Sequence, residues 1–298
     1  MRDFEYEAPT NLQSALALFA EHSESARALA GGTDLIDQVR LGRLTPDLVV
    51  DLKKLPELNV VEFSDDGLRL GAAVSCFDIY ANDEIVSKYS ALSDSCHIIG
   101  GVQIQNRASV GGNLCNSGPA ADSTPSLIAL DATCVIVGPN GTREVEVRDF
   151  CTGPSQNVLQ PGEILVELRF PKTPANSGSH YRRFIPRNEM DIAVVGVGAS
   201  VILDDAREKI VSARIALGAV APTPLFAAEA SVSLEGQQVG DEAFNRAAEL
   251  AQSIVTPIDD MRGTKEFRIH ITGVLTRRVL AAAVARARGE ADAWKIGH

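Results

Sequence analysis

Two glycine-bearing segments limit what this chain can fold into more than any other feature. They read A30-G-G-T-D-L35 and A108-S-V-G-G-N113 and begin 78 positions apart (108 minus 30). Glycine allows positive φ angles and lets the backbone approach a ligand closely, and consecutive N–H groups in such a turn form a concave anion site. Two such segments predict a ligand with a diphosphate that is held between two walls of the protein.

The composition excludes several classes of partner. The chain has 298 residues, of which 45% are hydrophobic, so it can bury a substantial core and is long enough for two domains. Its 28 basic and 39 acidic side chains give a net charge of -11, which argues against nucleic acid or an anionic membrane as the main partner. No apolar run approaches the roughly 20 residues that span a bilayer. We therefore expect a cytoplasmic protein with no membrane span.

The cysteines and histidines do not form a metal-binding pattern. Five cysteines are dispersed along the chain without a C-x-x-C pair, and the five histidines have no ligand spacing. This distribution predicts neither a disulfide framework nor an iron–sulfur or zinc site. Any redox chemistry should therefore come from a bound organic cofactor, and we expect no metal ligand and no catalytic side chain on this chain.

The hydrophobic pattern divides the chain into three parts. A small α/β unit comes first, a strand-rich part follows from residue 57, and the proline-containing stretch from Pro171 to Ser179 predicts a linker. Paired strands and two helices come after it. The predicted domains are residues 1–175, with subdomains of about 1–56 and 57–175, and residues 180–288. The predicted fold class is α+β with two domains.

The stretch from Gly100 to Asp122, G100-G-V-Q-I-Q-N-R-A-S-V-G-G-N-L-C-N-S-G-P-A-A-D122, resembles one known family. It is similar to the FAD-binding medium subunit of the xanthine dehydrogenase and carbon monoxide dehydrogenase family, the molybdenum hydroxylases. The same family pattern continues elsewhere, in order and with matching spacing, at A30-G-G-T-D-L35, E163-I-L165, R183-x-x-x-R187-x-x-x-D-I-A193 and R262-G-T264 with Arg268.

The resemblance implies both a fold and partners. It implies an FAD-binding PCMH-type domain, similar to that of vanillyl-alcohol oxidase, with two α/β subdomains. A smaller α+β C-terminal domain, with an antiparallel sheet and helices, would follow. The implied partners are a small subunit with [2Fe-2S] clusters and a large molybdopterin subunit, assembled as a dimer of heterotrimers. Electrons would pass from the clusters through this FAD to an external acceptor, and the substrate would be oxidised on a partner.

The resemblance also implies the residues that hold FAD. In the two segments these are Ala30, Gly31, Gly32, Thr33, Asp34, Leu35, Ser109, Gly111, Gly112 and Asn113, which would surround the diphosphate. An ordinary turn from a strand to a helix, capped by Thr33 or Asp34, is the alternative for the first segment.

Four further residues have implied roles beside the cofactor. Asp122 would accept hydrogen bonds from ribityl or ribose hydroxyls, or else cap a helix that begins near Thr124. Leu165 would pack on the adenine or flavin edge, or else belong to the core. Arg183 stands where the family commonly has lysine near the isoalloxazine, and a cation there favours electron uptake. Ile99 stands where xanthine oxidoreductases have an aromatic residue, which argues against a purine enzyme.

Two other functions are weighed against this one. A self-contained FAD-dependent oxidase would need acid/base groups around its own substrate, and no such cluster follows the linker. A nicotinamide-binding Rossmann protein would have to use G196-V-G-A-S-V201, which lacks the third glycine and lies within an apolar strand. The substrate (carbon monoxide, an aldehyde, a purine or an N-heterocycle) and the acceptor (NAD, a quinone or oxygen) stay open.

Overall fold

The computed structural model describes residues 2–187 and 189–290. Its strands are β1 Glu5–Glu7, β2 Ala26–Leu29, β3 Leu48–Asp51, β4 Val61–Ser64, β5 Gly67–Gly71, β6 Thr133–Gly138, β7 Gly141–Glu146, β8 Cys151–Gly153, β9 Gln156–Asn157, β10 Ile164–Pro171, β11 Ser177–Phe184, β12 Val195–Leu203, β13 Ile210–Gly218 and β14 Leu225–Phe226. Its helices are α1 Leu12–His22, α2 Leu35–Arg40, α3 Cys76–Tyr80, α4 Asp83–Lys88, α5 Ser90–Ile98, α6 Val102–Gln105, α7 Val110–Asn116, α8 Ser123–Ala129, α9 Val147–Phe150, α10 Ala228–Val232, α11 Asp241–Ser253 and α12 Lys265–Arg288, with 3-10 turns at Ser23–Ser25 and Pro56–Asn59. Across these residues, no helix has the length and apolar character needed to cross a membrane.

The N-terminal unit is a three-stranded parallel sheet covered by α1. The strand order is β1-β3-β2, so β3 is central, and each of its four residues is buried. A run of consecutive buried residues is typical of a parallel strand that is covered on both faces. Ala15 and Phe19 of α1 pack in the same core as Leu48 and Val50. The first glycine segment follows β2 directly.

A five-stranded antiparallel sheet forms the centre of the next unit. Its order is β4-β5-β10-β6-β7, with β10 in the middle and a register shift between Leu165 and Glu167. Leu168 and Phe170 of β10 are buried in one core with residues of α5 and α8. Helices α3 to α8 lie between β5 and β6 in sequence and include the second glycine segment. They pack with this sheet.

The C-terminal unit is a four-stranded antiparallel sheet that packs against α11 and α12. The strand order is β11-β12-β13-β14. Val197, Val201 and Ile215 share a core with Val279 and Leu280 of α12. Helix α12 contacts both β11 and β12, and it stabilises this unit by apolar burial.

The connection between the last two sheets is shorter than the sequence predicts. The expected linker runs from Pro171 to Ser179, but β10 extends through Pro171 and β11 begins at Ser177. The hydrophobic pattern does not predict β11, because the buried positions of this strand include polar residues, among them Ser179 and His180. The connecting residues are therefore only 172–176, and β11 lies directly against the preceding unit.

Polar contacts join α5 to the C-terminal unit. The Ser90 hydroxyl donates to the Ser179 carbonyl at 2.8 Å, and Asp94 accepts from Arg286 at 2.6 and 2.9 Å and from the Tyr181 amide at 3.1 Å. Burial raises the pKa of Asp94, but its bonds to His180 and Arg286 outweigh burial and hold the pKa below its usual value. Asp94 is therefore an ionised junction residue whose carboxylate is shared by both units.

Gly178→Ala should destabilise the junction of β11 and α12. A Cβ atom at Gly178 would lie 2.5 Å from the Ala287 nitrogen and also against the Ala283 carbonyl, both backbone atoms of α12. We expect the free energy of unfolding to fall by about 1–3 kcal/mol, as for other overpacked sites. The matched control is Gly240→Ala, because a Cβ there meets nothing within 4 Å and φ is 171°. Denaturant unfolding of both variants checks this, and equal stability of the two would contradict it.

Candidate functional site

The first glycine segment forms an open turn between β2 and α2. Gly32 has a φ of +78°, a conformation that favours glycine. Asp34 precedes α2 without a side-chain capping bond, so the alternative of a turn capped by this carboxylate does not hold. Across the described residues, the N–H groups of Gly31, Gly32, Thr33 and Asp34 donate to no protein acceptor. Four successive backbone donors are therefore available on this turn.

The second glycine segment is the beginning of α7. Ser109 caps the helix, and its hydroxyl oxygen accepts from the Gly112 amide at 3.1 Å. The Asn113 side-chain oxygen accepts from the Ser123 hydroxyl at 2.6 Å. This bond links α7 to the beginning of α8. It therefore fixes the position of Asp122, which precedes α8, relative to the second segment.

The structure brings the two segments into direct contact. A Cβ atom on Gly31 would lie 2.6 Å from the Arg107 carbonyl oxygen and 2.9 Å from the Ala108 Cα. The Arg107 Nε atom also donates to the Gly31 carbonyl at 3.4 Å. A Cβ on Gly112 would lie 3.7 Å from the Ala30 Cβ. The segments, which are 78 residues apart in sequence, thus form two walls of one site.

The glycines of the two walls have different physical roles. A Cβ on Gly111 would lie 2.6 Å from the Ala72 Cβ and would also meet the Ala72 carbonyl, so this glycine allows the chain to pack on itself, as Gly31 does. A Cβ on Gly112 meets only the Ser109 hydroxyl at 3.0 Å and Ala30 at 3.7 Å. Gly112 therefore faces the space between the walls. Small residues and unpaired N–H donors on this space fit a diphosphate.

Asp122 and Arg183 form a buried ion pair beside the second segment. Asp122 accepts from Arg183 Nη1 at 2.5 Å and from the Tyr181 hydroxyl at 2.8 Å. Burial raises the pKa of Asp122 to about 6, against the lowering effect of Arg183 and Tyr181. Asp122 makes no capping bond to α8. Arg183 Nη2 donates to the Ile98 carbonyl at 2.8 Å.

Ile99 and Leu165 lie in different surroundings. Ile99 is half-buried at the end of α5 and is followed by Gly100, which has a φ of +58°. Leu165 is only 4% exposed, within the core below the five-stranded sheet, as is usual for an apolar residue of a central strand. Ile99 is thus next in sequence to Ile98, whose carbonyl accepts from Arg183. Leu165, in contrast, is surrounded by core residues.

Four polar residues at the two walls did not stand out in the sequence. The Gln38 side chain donates to Asn116 at 3.1 Å, which links α2 to α7. Lys53 donates to the Arg107 carbonyl at 3.3 Å, and burial, followed by the charge of Arg107, lowers the pKa of Lys53. Asn116 follows Asn113 by three positions on a helix, which is a signal for a shared face. Lys53 and Arg107 carry no such signal.

Two cavities lie outside the glycine turns. One, of about 410 Å³, is bordered by Tyr89, residues 171–174 and the polar face of β12 and β13. The other, of about 320 Å³, is bordered by Pro119, Ala120, Ile192, Ala193 and Arg262, among others. Neither is bordered by the glycines of the two walls. The cleft between the walls is therefore assigned from its hydrogen-bonding groups and not from cavity size.

Comparison with known proteins identifies the family. The model of the FAD-binding domain in molybdopterin dehydrogenase matches residues 2–173, and the model of the CO dehydrogenase flavoprotein C-terminal domain matches residues 180–283. The chain belongs to the FAD-binding medium subunits of the molybdenum hydroxylases. It is 33% identical over 285 residues to the carbon monoxide dehydrogenase medium chain of Afipia carboxidovorans, covering 96% of this chain and 98% of that one.

Two further similarities extend over nearly the whole chain. The xanthine dehydrogenase FAD-binding subunit of Escherichia coli is 34% identical over 294 residues, with 97% of this chain and 99% of that subunit covered. Reconstituted CO dehydrogenase from Oligotropha carboxidovorans contains a chain with a TM-score of 0.91 and 32% identity, with 96% of this chain and 99% of that chain covered.

These similarities confirm several predictions made from the sequence. The family, the two-domain α+β fold class and the FAD-binding dehydrogenase subunit are confirmed. The cofactor prediction is also confirmed, with FAD on this chain and the iron–sulfur and molybdopterin groups on partner subunits. The self-contained oxidase is not supported.

Gly31→Ala and Gly111→Ala should each destabilise the protein without added cofactor. In both cases the new Cβ would meet backbone atoms of another segment closer than 3.0 Å. We expect the free energy of unfolding to fall by about 1–3 kcal/mol, because Gly31→Ala forces the two walls apart and Gly111→Ala forces α7 away from Ala72. Gly118→Ala is the control, since its Cβ would meet only Asn116 at 4.0 Å. If denaturant titration finds all three equally stable, the two walls do not pack as described.

Proposed function

We propose that this chain holds the diphosphate of FAD between the two glycine segments and passes electrons from the partner's [2Fe-2S] clusters to an external acceptor. The observation that carries the proposal is the row of unpaired N–H groups at residues 31–34, opposite Gly112. FAD, when bound, supplies the electron-carrying chemistry. The residues of this chain bind and orient the cofactor.

We further propose a role for each wall. Gly31, Gly32, Thr33 and Asp34 offer backbone N–H groups, with Ala30 and Leu35 at their flanks. On the other wall, Gly112 allows close approach, while Ser109, Gly111 and Asn113 fix the position of α7. Ile99 is proposed to lie against the flavin, and Leu165 to support the site from the core. A row of backbone donors suits an anion because it adds no side-chain entropy cost.

The assembly and its location extend this proposal. We propose a heterotrimer with the small iron–sulfur and large molybdopterin subunits, two copies of which form a dimer. The proposed domains are residues 1–175 and 180–288, which is supported by the change of sheet between β10 and β11. A cytoplasmic location is supported by five cysteines that are all unpaired. The substrate and the final acceptor are properties of the complete enzyme.

The isolated full-length chain should bind FAD non-covalently without oxidising substrates. We expect stoichiometric FAD that acid precipitation releases, and no bleaching of the flavin when candidate substrates of the family are added anaerobically. Absorption spectroscopy measures both. Flavin reduction by a substrate in the absence of partner subunits would overturn the subunit assignment. Purification from the native source should yield two further subunits together with iron and molybdenum.

Gly112→Ala should weaken FAD binding with little effect on folding. Its Cβ would enter the space between the walls, where it meets only Ser109 and Ala30. We expect the dissociation constant to rise about ten-fold or more, which corresponds to about 1.4 kcal/mol. Quenching of flavin fluorescence measures this, with Gly240→Ala as the control in the C-terminal sheet unit. Unchanged affinity in Gly112→Ala would place the diphosphate elsewhere.

A further inference from the structure

The turn after α5 is held in place by a side chain from the C-terminal sheet. The Ile98 carbonyl accepts from Arg183 Nη2 at 2.8 Å, and Gly100 reverses the chain with a φ of +58°. Ile99 lies between them and is half-buried. The guanidinium of Arg183 therefore bonds to the turn that presents Ile99.

Arg183 has little surface left for a direct contact with a ligand. Protein atoms cover all but 5% of its side chain. Nη1 pairs with Asp122 at 2.5 Å, and Nη2 is bonded to the Ile98 carbonyl. Both outer nitrogens of the fork therefore have protein partners, which is the geometry that arginine provides and lysine does not.

Asp122 is likewise occupied by protein donors. One carboxylate oxygen accepts from Arg183 and the other from the Tyr181 hydroxyl at 2.8 Å, and Tyr181 is only 3% exposed. Tyr181 and Arg183 stand two positions apart on β11, so both side chains point to the same face. A buried network whose members are all bonded is rigid.

We propose that Arg183 is a positioning residue, which fixes the turn of Ile98, Ile99 and Gly100 against the flavin through its paired contacts with Asp122 and Ile98. The proposal rests on the proposed function, because it assumes FAD in this site. The ion pair acts as one neutral unit, so neither charge tunes the flavin by itself. Loss of either partner leaves an uncompensated buried charge and loosens the turn.

The alternative is a direct electrostatic effect of each charge on the flavin, and the two hypotheses predict different behaviour of the double variant. A nearby cation favours the reduced flavin and a nearby anion disfavours it. Direct action therefore requires opposite shifts of the midpoint potential in Arg183→Gln and Asp122→Asn. The double variant separates the two, because it carries neither charge: direct action returns the potential and the affinity to near the wild-type values, whereas positioning keeps FAD binding weak, since the turn is still released. Positioning also requires that the effects of the two changes are not additive.

The experiment uses the full chain with Arg183→Gln, Asp122→Asn and the double variant. We expect each single variant to raise the FAD dissociation constant by about ten-fold or more, as for loss of a charged hydrogen bond, and the double variant to raise it by less than the product. Fluorescence titration gives the affinity, and anaerobic dye titration gives the midpoint potential. A double variant that binds FAD with the wild-type affinity and potential would overturn the proposal.

Arg214→Gln is the matched control. Arg214 also projects from the C-terminal sheet, pairs with Asp131 at 2.7 Å and donates to the Ile128 carbonyl at the end of α8. We expect it to lower the unfolding midpoint while it leaves FAD affinity and potential unchanged. Arg183→Lys, which can satisfy one acceptor but not both, should give an intermediate affinity and keeps the test informative if Arg183→Gln does not fold.

The outcomes separate this proposal from the proposed function. If the wild-type chain binds no FAD, both fail. If the wild-type chain binds FAD and Arg183→Gln behaves like Arg214→Gln, the positioning role alone is wrong.

Discussion

The backbone of Gly31 lies against the backbone of Arg107 and Ala108, and the rest of the site depends on this contact. It joins the parallel three-stranded unit to the antiparallel five-stranded unit at a point where residue 31 cannot carry a Cβ atom. Protein interiors are close-packed, so a contact of this kind fixes the position of one segment relative to the other. The contact brings the open N–H groups after β2 opposite the beginning of α7. The proposed diphosphate site thus arises from two turns that separately would be ordinary strand-to-helix connections.

The second constraint is the match between α5 and β11. Ser90, Asp94 and Ile98 are spaced by four residues, and they bond to Ser179, to the Tyr181 amide and to Arg183, which are spaced by two. Four residues of helix rise about 6 Å and two residues of strand about 6.6 Å, so the helix and the strand stay in register over all three contacts. An apolar interface could slide along this direction. Directional polar bonds fix the end of α5, and thereby Ile99.

The sequence predicted the parts of the fold that follow simple periodic rules. The small α/β unit predicted at the beginning corresponds to β1, β2, β3 and the helices α1 and α2, and the two helices predicted after the paired strands correspond to α11 and α12. Strand β11 could not be predicted in this way, because several of its buried residues are polar and bond to residues far away in the sequence, as the Ser179 carbonyl does with Ser90 and Arg286. The predicted linker extended into β11 for the same reason.

The sequence indicated the two segments that the structure brings into contact, but not the contacts of each charged group. The glycine segments indicate a diphosphate, because unpaired backbone donors are a local property of a turn. Whether Asp122 and Arg183 touch a ligand is not local, since it depends on Tyr181 and on the Ile98 carbonyl, which only the fold brings near. A pattern that includes a charged residue therefore indicates a site without distinguishing a contacting group from a positioning one.

In a subunit that exchanges electrons, there is a physical reason for a charged residue to position another group and not to contact the cofactor. A cofactor that carries out the redox chemistry requires from the protein a fixed place and a controlled electrostatic environment, more than acid or base groups. Two opposite charges that are buried together at 2.5 Å provide rigidity while their fields largely cancel at a distance. A single buried charge would provide a field but would be costly to bury. The Asp122–Arg183 pair is thus suited to the proposed role of holding a flavin wall in place, through which the C-terminal sheet would take part in the cofactor site.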